Sequence, residues 1–211
     1  MKKSGSILLY ALIALLMFST ASAEQSNKTE ITFREFPWYA PFSEVHALMK
    51  TLSLTSEDLV KECGVDELYT SIPIAEYTAD KLLLSFMYPL GDDGRVIHDN
   101  SLSELYIANY YFCSFVDKQA TFDDFKAKMT TLYGECINKE DRSSIYLEEW
   151  SDASGNIARL IMDKNINDIR LLYIAGDFGA RLDALLAEIK EEANEAENAW
   201  REKNASNIDG L

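Results

Sequence analysis

Histidine, cysteine and clustered carboxylates are the groups in this chain that could do chemistry. Their spacing decides how far each can be taken. There are two histidines, His46 and His98. His98 sits in a polar stretch with Asp92, Asp93, Asp99 and Asn100, so a Ser-His-Asp set could be drawn from His98, Asp99 and a serine. A Cys-His pair could likewise join His98 to Cys113 or Cys136. Either set needs a nucleophile held beside its base. No G-x-S-x-G turn is present to hold a serine that way. No residue is assigned a catalytic role on these grounds.

Acids are plentiful, at 35 Asp and Glu. Paired carboxylates could serve glycoside hydrolysis. Glu148-Glu149-Trp150 is the most suggestive place, because an aromatic beside acids can face a sugar. In a strand, however, Glu148 and Trp150 share one face and Glu149 points to the other. The plainer account is a tryptophan packed under a helix with acids at the rim. Asp163-x-Asn165-x-Asn167-Asp168 has oxygens at alternate positions, as a calcium loop does. It has Asp168 where such a loop has glycine, and Ile174 where it has its bidentate acid. Hairpin-turn chemistry accounts for it better. Asp152-x-Ser154-x-Asn156 is weaker still. No HExxH, CxxC or glycine-rich phosphate cradle appears, so neither metal nor cofactor is expected.

The formal charge is −15, which disfavours nucleic acid and anionic lipid as partners. Three cysteines, Cys63, Cys113 and Cys136, leave at least one unpaired within the chain. Cys113 and Cys136 flank one expected helix and could be bridged; small buried apolar roles are the commoner use. Aromatic side chains are the more informative feature. By strand parity Tyr106, Tyr110 and Phe112 share one face, and Tyr111, Cys113 and Phe115 the other. Both faces are therefore apolar. One would serve the helices, and the other needs a layer, a partner or the tail helix. An exposed aromatic patch would mark a binding site. The candidate binding residues are Trp38, Tyr39, Tyr106, Tyr110 and Trp150.

The elements that must position these residues follow from periodicity. Val45, Leu48, Met49 and Leu52 recur at helical spacing, and Thr55 to Asp58 reads as the cap of a second short helix ending at Gly64. Ile31 to Phe33 reads as a short strand. Strand character returns at 68–72 and 75–78, broken by Pro73, then at 81–90 and 103–116. The last two should pair across the 91–102 loop, and 103–116 is long enough to hold a bulge. Thr121 caps a helix that Gly134 ends. Segments 144–150, 157–163 and 168–175 read as an antiparallel meander. A helix from Asp177 presents Leu182, Leu185, Leu186, Ile189, Ala193 and Ala196 as one stripe, with Trp200 near its end. Helix followed by strands thus occurs twice, as a duplicated unit would give.

The first residues form an export signal. Met1-Lys2-Lys3 is positive, Ile7 to Phe18 is apolar, and Ala21-Ser22-Ala23 is a small-x-small cleavage box. The apolar run is short for a membrane span. Cleavage after Ala23 removes Lys2 and Lys3 and takes the charge from −15 to −17. The expected organisation is a signal peptide at 1–23, a flexible linker at 24–30, an α+β domain at 31–176, a C-terminal helix at 177–203 and a disordered tail at 204–211.

Phe33-Arg34-Glu35-Phe36-Pro37-Trp38, followed by Ser43-Glu44-Val45, resembles a group of exported proteins of Gram-positive gut bacteria that start with FRxIPWG. The resemblance continues through Leu82–Tyr88, Leu105–Phe112, Leu132-Tyr133-Gly134, Trp150, Ile169–Tyr173 and the closing Asp209-Gly210-Leu211. Tyr39 stands where the family has glycine, so the turn after Trp38 must differ. The group carries no assigned activity, and none is implied. The helix-plus-meander units are also similar, as fold analogy only, to β-lactamase-inhibitor-like and outer-membrane assembly proteins.

The expected fold is α+β: an antiparallel sheet of about five to seven strands with helices packed on it and an amphipathic C-terminal helix. The expected function is a secreted, non-enzymatic binding module whose partner is a protein or the envelope. The alternative is a hydrolase acting on cell-wall or dietary polymers. No membrane contact beyond the signal is expected, and the oligomeric state is open.

Overall fold

Period-two burial runs through the central strands, and it builds one sheet. The computed structural model describes residues 29–52 and 56–208. The described residues hold helices α1 (Phe42–Leu52), α2 (Lys118–Tyr133) and α3 (Phe178–Ile208). They also hold β1 (Ser56–Lys61), β2 (Gly64–Ile74), β3 (Tyr77–Met87), β4 (Glu104–Phe112), β5 (Asn138–Asp141), β6 (Ile145–Ser151), β7 (Ile157–Asp163) and β8 (Asp168–Ile174). These eight strands form one antiparallel sheet in the order β1-β2-β3-β4-β8-β7-β6-β5. Helix plus four-stranded meander therefore occurs twice, and the two meanders join edge to edge through β4 and β8.

Two rows of paired side chains show how alike the units are. One crosses the sheet as Glu67, Leu84, Ala108, Tyr173, Ala158 and Trp150. The other crosses in the opposite direction as Glu148, Leu160, Leu171, Tyr110, Leu82 and Tyr69. Both read acid, leucine, small or aliphatic, tyrosine, aliphatic, aromatic. A two-fold axis normal to the sheet at the β4–β8 seam relates them.

Both rows face the helices. Their acids are buried, and each takes a partner from the helix of its own unit: His46 of α1 for Glu67, and Lys126 of α2 for Glu148 at 2.5 Å. Tyrosines complete them, with Tyr69 donating to Glu67 at 2.6 Å and Tyr146 to Glu148 at 2.8 Å. A buried carboxylate needs such partners to stay charged. Phe122, Phe125 and Met129 of α2 and Val45 and Met49 of α1 fill the space around them. The segment before α1 lies on the same face: Phe33 packs on Tyr110, and Trp38 donates from Nε1 to the Ile31 carbonyl at 2.7 Å. Asp152 fastens its start, accepting from the Ile31, Ser154 and Asn156 backbone N–H groups.

Several expectations are corrected. The expected helix after Thr55 is the edge strand β1, which turns at Glu62-Cys63 into β2. Gly64 ends no helix; a Cβ there would lie 2.0 Å from the Phe86 carbonyl oxygen, so glycine is required for β2 to pass β3. Pro73 does not break the strand: β1 begins opposite Tyr69, leaving the far end of β2 at an edge where a missing N–H is tolerated. The 31–33 strand is reduced to an isolated bridge between Phe33 and Phe36. β5, with only Asn, Lys, Glu and Asp, was not expected. α2 starts earlier than Thr121, because Asp117 is its cap, accepting from the Ala120 N–H at 3.0 Å. Gly134 closes it as expected. The sheet bulges between Ser85 and Phe86 of β3 against β4, so Leu105 and Tyr106 are both buried.

α3 runs on through Ile208, beyond the expected limit of Lys203. Its stripe does not lie on the sheet along its length. Leu185 is buried and Leu182 and Ile189 are half-buried, whereas Leu186 and Trp200 stand in solvent. The 88–103 loop holds its middle: Arg95 pairs with Glu188 and Glu195, and His98 with Glu192. Of the expected linker 24–30, residues 24–28 lie outside the described residues; the Thr29 N–H donates to the Leu132 carbonyl at 3.2 Å. The signal peptide 1–23 lies outside the described residues. No helix among the described residues is long and apolar enough to cross a membrane.

Candidate functional site

The ring contacts of the three helices fall on the side of the rows above, as Phe42 on Phe86, Phe125 on Phe112 and Phe178 on Tyr106, and leave the opposite face of the sheet without one among the described residues. Side chains of reversed parity stand on it. Leu68, Leu83, Asn109 and Leu172 form one row that ends in Arg159 and Glu149. Ser85, Ile107, Ile174 and Ile157 form the second. Lys81, Tyr111, Arg170, Ile161 and Leu147 form the third. The aliphatic members are half-buried, yet only Ile107 touches the contiguous core. They are sheltered by one another and by the long polar side chains between them.

The charges of this face are ordered. Arg159 pairs with Glu149, Arg170 with Asp168 at 2.7 Å, and Lys61 with Asp66. The Arg170 guanidinium also lies 5.7 Å from the Tyr111 ring centre. Lys81 is exposed and has no ion pair among the described residues. By the same parity Asp163 and Glu140 also lie on this face, so its charges nearly cancel on a chain of charge −15. At ordinary strand and residue spacings its three rows cover about 500 Å².

The five aromatic candidates lie elsewhere. Trp38, Tyr106, Tyr110 and Trp150 are buried on the helix side. Trp150 donates from Nε1 to the Gly134 carbonyl at 2.9 Å, closing the end of α2. Tyr106 stacks edge-on against Tyr39 at 5.1 Å and donates to Glu104. Tyr39, half-buried, donates its hydroxyl to Asp177 and lies under the Arg181 guanidinium at 5.1 Å, so it fastens the start of α3. Burial and then the Asp177 hydrogen bond push its hydroxyl up to about 12. The expectation of an exposed aromatic patch is therefore corrected: parity turned these rings inward, and the free face is aliphatic. Alternation within β7 and β8, Ile157-x-Arg159-x-Ile161 and Arg170-x-Leu172-x-Ile174, was the signal that could have found it.

The residues weighed for chemistry are each engaged separately. His98 bonds Glu192 at 3.0 Å, while Asp99 accepts from the Ser101 hydroxyl at 2.7 Å and its backbone N–H at 2.9 Å. Asp99 is thereby held below the usual carboxylate range. Glu148 and Glu149 point to opposite faces, and each has a cation. The three cysteines are free thiols. Cys113 and Cys136, on either side of the 16-residue α2, are not bridged. The Asp163 turn spends its oxygens locally: Asp163 accepts from the Asn165 N–H at 2.8 Å, and Lys118 takes the Asp163 and Ile166 carbonyls. Among the described residues no group of three or more His, Cys, Asp or Glu is placed to hold a metal ion.

Compared with protein-family models, with curated proteins and with solved structures, the chain matches none.

Proposed function

We propose that this chain is an exported, non-catalytic binding module that holds a protein partner on its helix-free sheet face. The carrying observation is that face, with aliphatic rows on four adjacent central strands and no helix over them. Its area of about 500 Å² suits a weak or transient protein interface. Lys81, exposed beside the aliphatic side chains and without an ion pair among the described residues, favours a partner with an acid at the edge of its apolar patch. Export rests on the segment 1–23, and it places the partner outside the cell or in its envelope.

The test uses the intact protein as bait for the producer's envelope and culture medium. Two variants accompany it: Ile157→Glu with Leu172→Glu on the face, and Leu186→Glu on the exposed side of α3. The expected result is a partner retained by the wild type and the Leu186 variant and lost by the face variant. Amide exchange of the complex should slow in β4, β7 and β8. A partner that the face variant retains equally well would overturn the proposal. So would a concentration-dependent dimer abolished by the face variant, since a second copy would then be the occupant.

A further inference from the structure

A cleft of about 320 Å³ opens on the helix side at the β4–β8 seam, between the Thr29–Arg34 segment, the β2–β3 turn and the end of α2. Its walls are Phe33, Ile74, Tyr110, Tyr133 and Tyr173, and Arg34 reaches across it. Tyr110 and Tyr173 are the two-fold-related tyrosines of the two rows, 6.4 Å apart edge to face. Such junctions between units are where small-ligand pockets are commonly found, and the volume is sufficient for a small molecule.

The polar groups of the cleft are unevenly satisfied. Arg34 has φ of 53°, a left-handed backbone that a long side chain rarely adopts. That turn carries its guanidinium over the Phe33 ring at 6.0 Å, where Nη2 donates to the Pro73 carbonyl at 2.8 Å. The same guanidinium is close enough to the Tyr110 hydroxyl to oppose the upward pull of burial on its pKa. Its Nε is buried with no hydrogen-bond partner. Tyr133 and Tyr173 stand close enough to perturb one another's hydroxyls, and the Tyr173 hydroxyl approaches Met129 Sδ at 3.9 Å. Burial pushes the Tyr110 hydroxyl up to about 12, so it keeps its proton. A guanidinium fixed at one nitrogen and vacant at Nε presents an unused donor beside a phenol. The one acid that lines the cleft, Glu30, is exposed at its mouth.

We propose that this cleft binds a small organic carboxylate, with the anion on Arg34 Nε and the Tyr110 hydroxyl and an apolar body against Ile74, Tyr133 and Tyr173. A carboxylate satisfies the vacant Nε, which an uncharged or cationic ligand of the same shape does less well. The site lies across the sheet from the proposed protein-docking face and does not depend on it.

Benzoate is the probe, titrated into the intact protein and followed by tyrosine ring NMR shifts, beside benzamide and benzylamine as uncharged and cationic counterparts. Saturable shifts at Tyr110, Tyr133 and Tyr173 are expected with benzoate, and at least tenfold weaker binding of the other two. Arg34→Gln should weaken benzoate at least tenfold. Ile74→Trp, which fills the cleft and leaves Arg34 in place, should abolish binding even if Arg34→Gln fails to fold. No saturation by benzoate, equal binding of all three probes, or unchanged binding in Ile74→Trp would each overturn the proposal.

Discussion

Lys126 and Glu148 should respond unequally to removal of one or the other. The Lys126 side chain is 36% exposed and that of Glu148 is 1% exposed. In Glu148→Gln, Lys126 swings into water, and the amide keeps a bond to Tyr146. A cost of about 1 kcal/mol is expected, the worth of one hydrogen bond. In Lys126→Met, the carboxylate stays buried with the Tyr146 hydroxyl and the weaker attraction of Lys139. Stranding a buried charge costs ~3 kcal/mol or more. The pH dependence separates the two further. In the wild type, burial raises the Glu148 pKa, but Lys126 and Tyr146 outweigh it, and the carboxyl sits below its ordinary value. The pair therefore stabilises above the unfolded carboxyl range and loses that contribution as pH falls through the lower folded value. Without Lys126 the folded value rises above the unfolded one. The folded state then holds the extra proton, and the penalty of Lys126→Met shrinks as pH falls toward about 4. The double variant Lys126→Met with Glu148→Leu removes both charges and should cost less than Lys126→Met alone. Urea denaturation of wild type and variants at neutral and mildly acidic pH reads all of this. Equal penalties for Lys126→Met and Glu148→Gln, or a Lys126→Met penalty unchanged by acid, would refute the reasoning.

Gly64→Ala should cost more than ~2 kcal/mol in urea denaturation, because its Cβ would meet the Phe86 carbonyl oxygen at 2.0 Å and backbone must move. Asp152→Ala should free the Ile31 and Asn156 anchors, and limited proteolysis should then cleave near residue 31 faster than in the wild type. Cys113 should react with a disulfide reagent more slowly at neutral pH than a free cysteine. Partial burial and the Asp168 and Asp80 carboxylates push its thiol up, leaving less thiolate.

The legible part of the fold is the part that buries apolar side chains. β4, β6, β7, β8, α2 and the joining of β3 to β4 can be read from periodicity because their inward residues are large and apolar. The two strands misread or missed are β1 and β5, the two edges of the sheet. β5 is wholly polar and β1 carries Glu57, Asp58 and Lys61; edge strands are kept from pairing further by such charge, which also erases the alternation. The aromatic candidates failed as a surface for a related reason. Large rings in alternation mark the buried face most strongly, so Tyr106, Tyr110 and Trp150 identified the core. The binding candidate lay in the other parity, where Leu68, Leu83 and Leu172 mingle with Asn109, Arg159 and Arg170.

The two-fold relation accounts for both candidate sites. Joining two four-stranded meanders through β4 and β8 doubles the width of the helix-free face without adding a helix to cover it. On the other side, α1 and α2 are carried apart, each over its own buried acid, Glu67 and Glu148. The ground between them is the seam, where Tyr110 and Tyr173 stand as equivalents. The chain before α1 crosses it, fastened by Thr29 to α2 and by Ile31 to Asp152. This segment belongs to neither unit, so it is free to break the symmetry. It brings one arginine, Arg34, to a place where the units alone would offer a pair of matching tyrosines. Wide docking face and asymmetric cleft are thus two results of one construction, an edge-to-edge pairing closed by a strap.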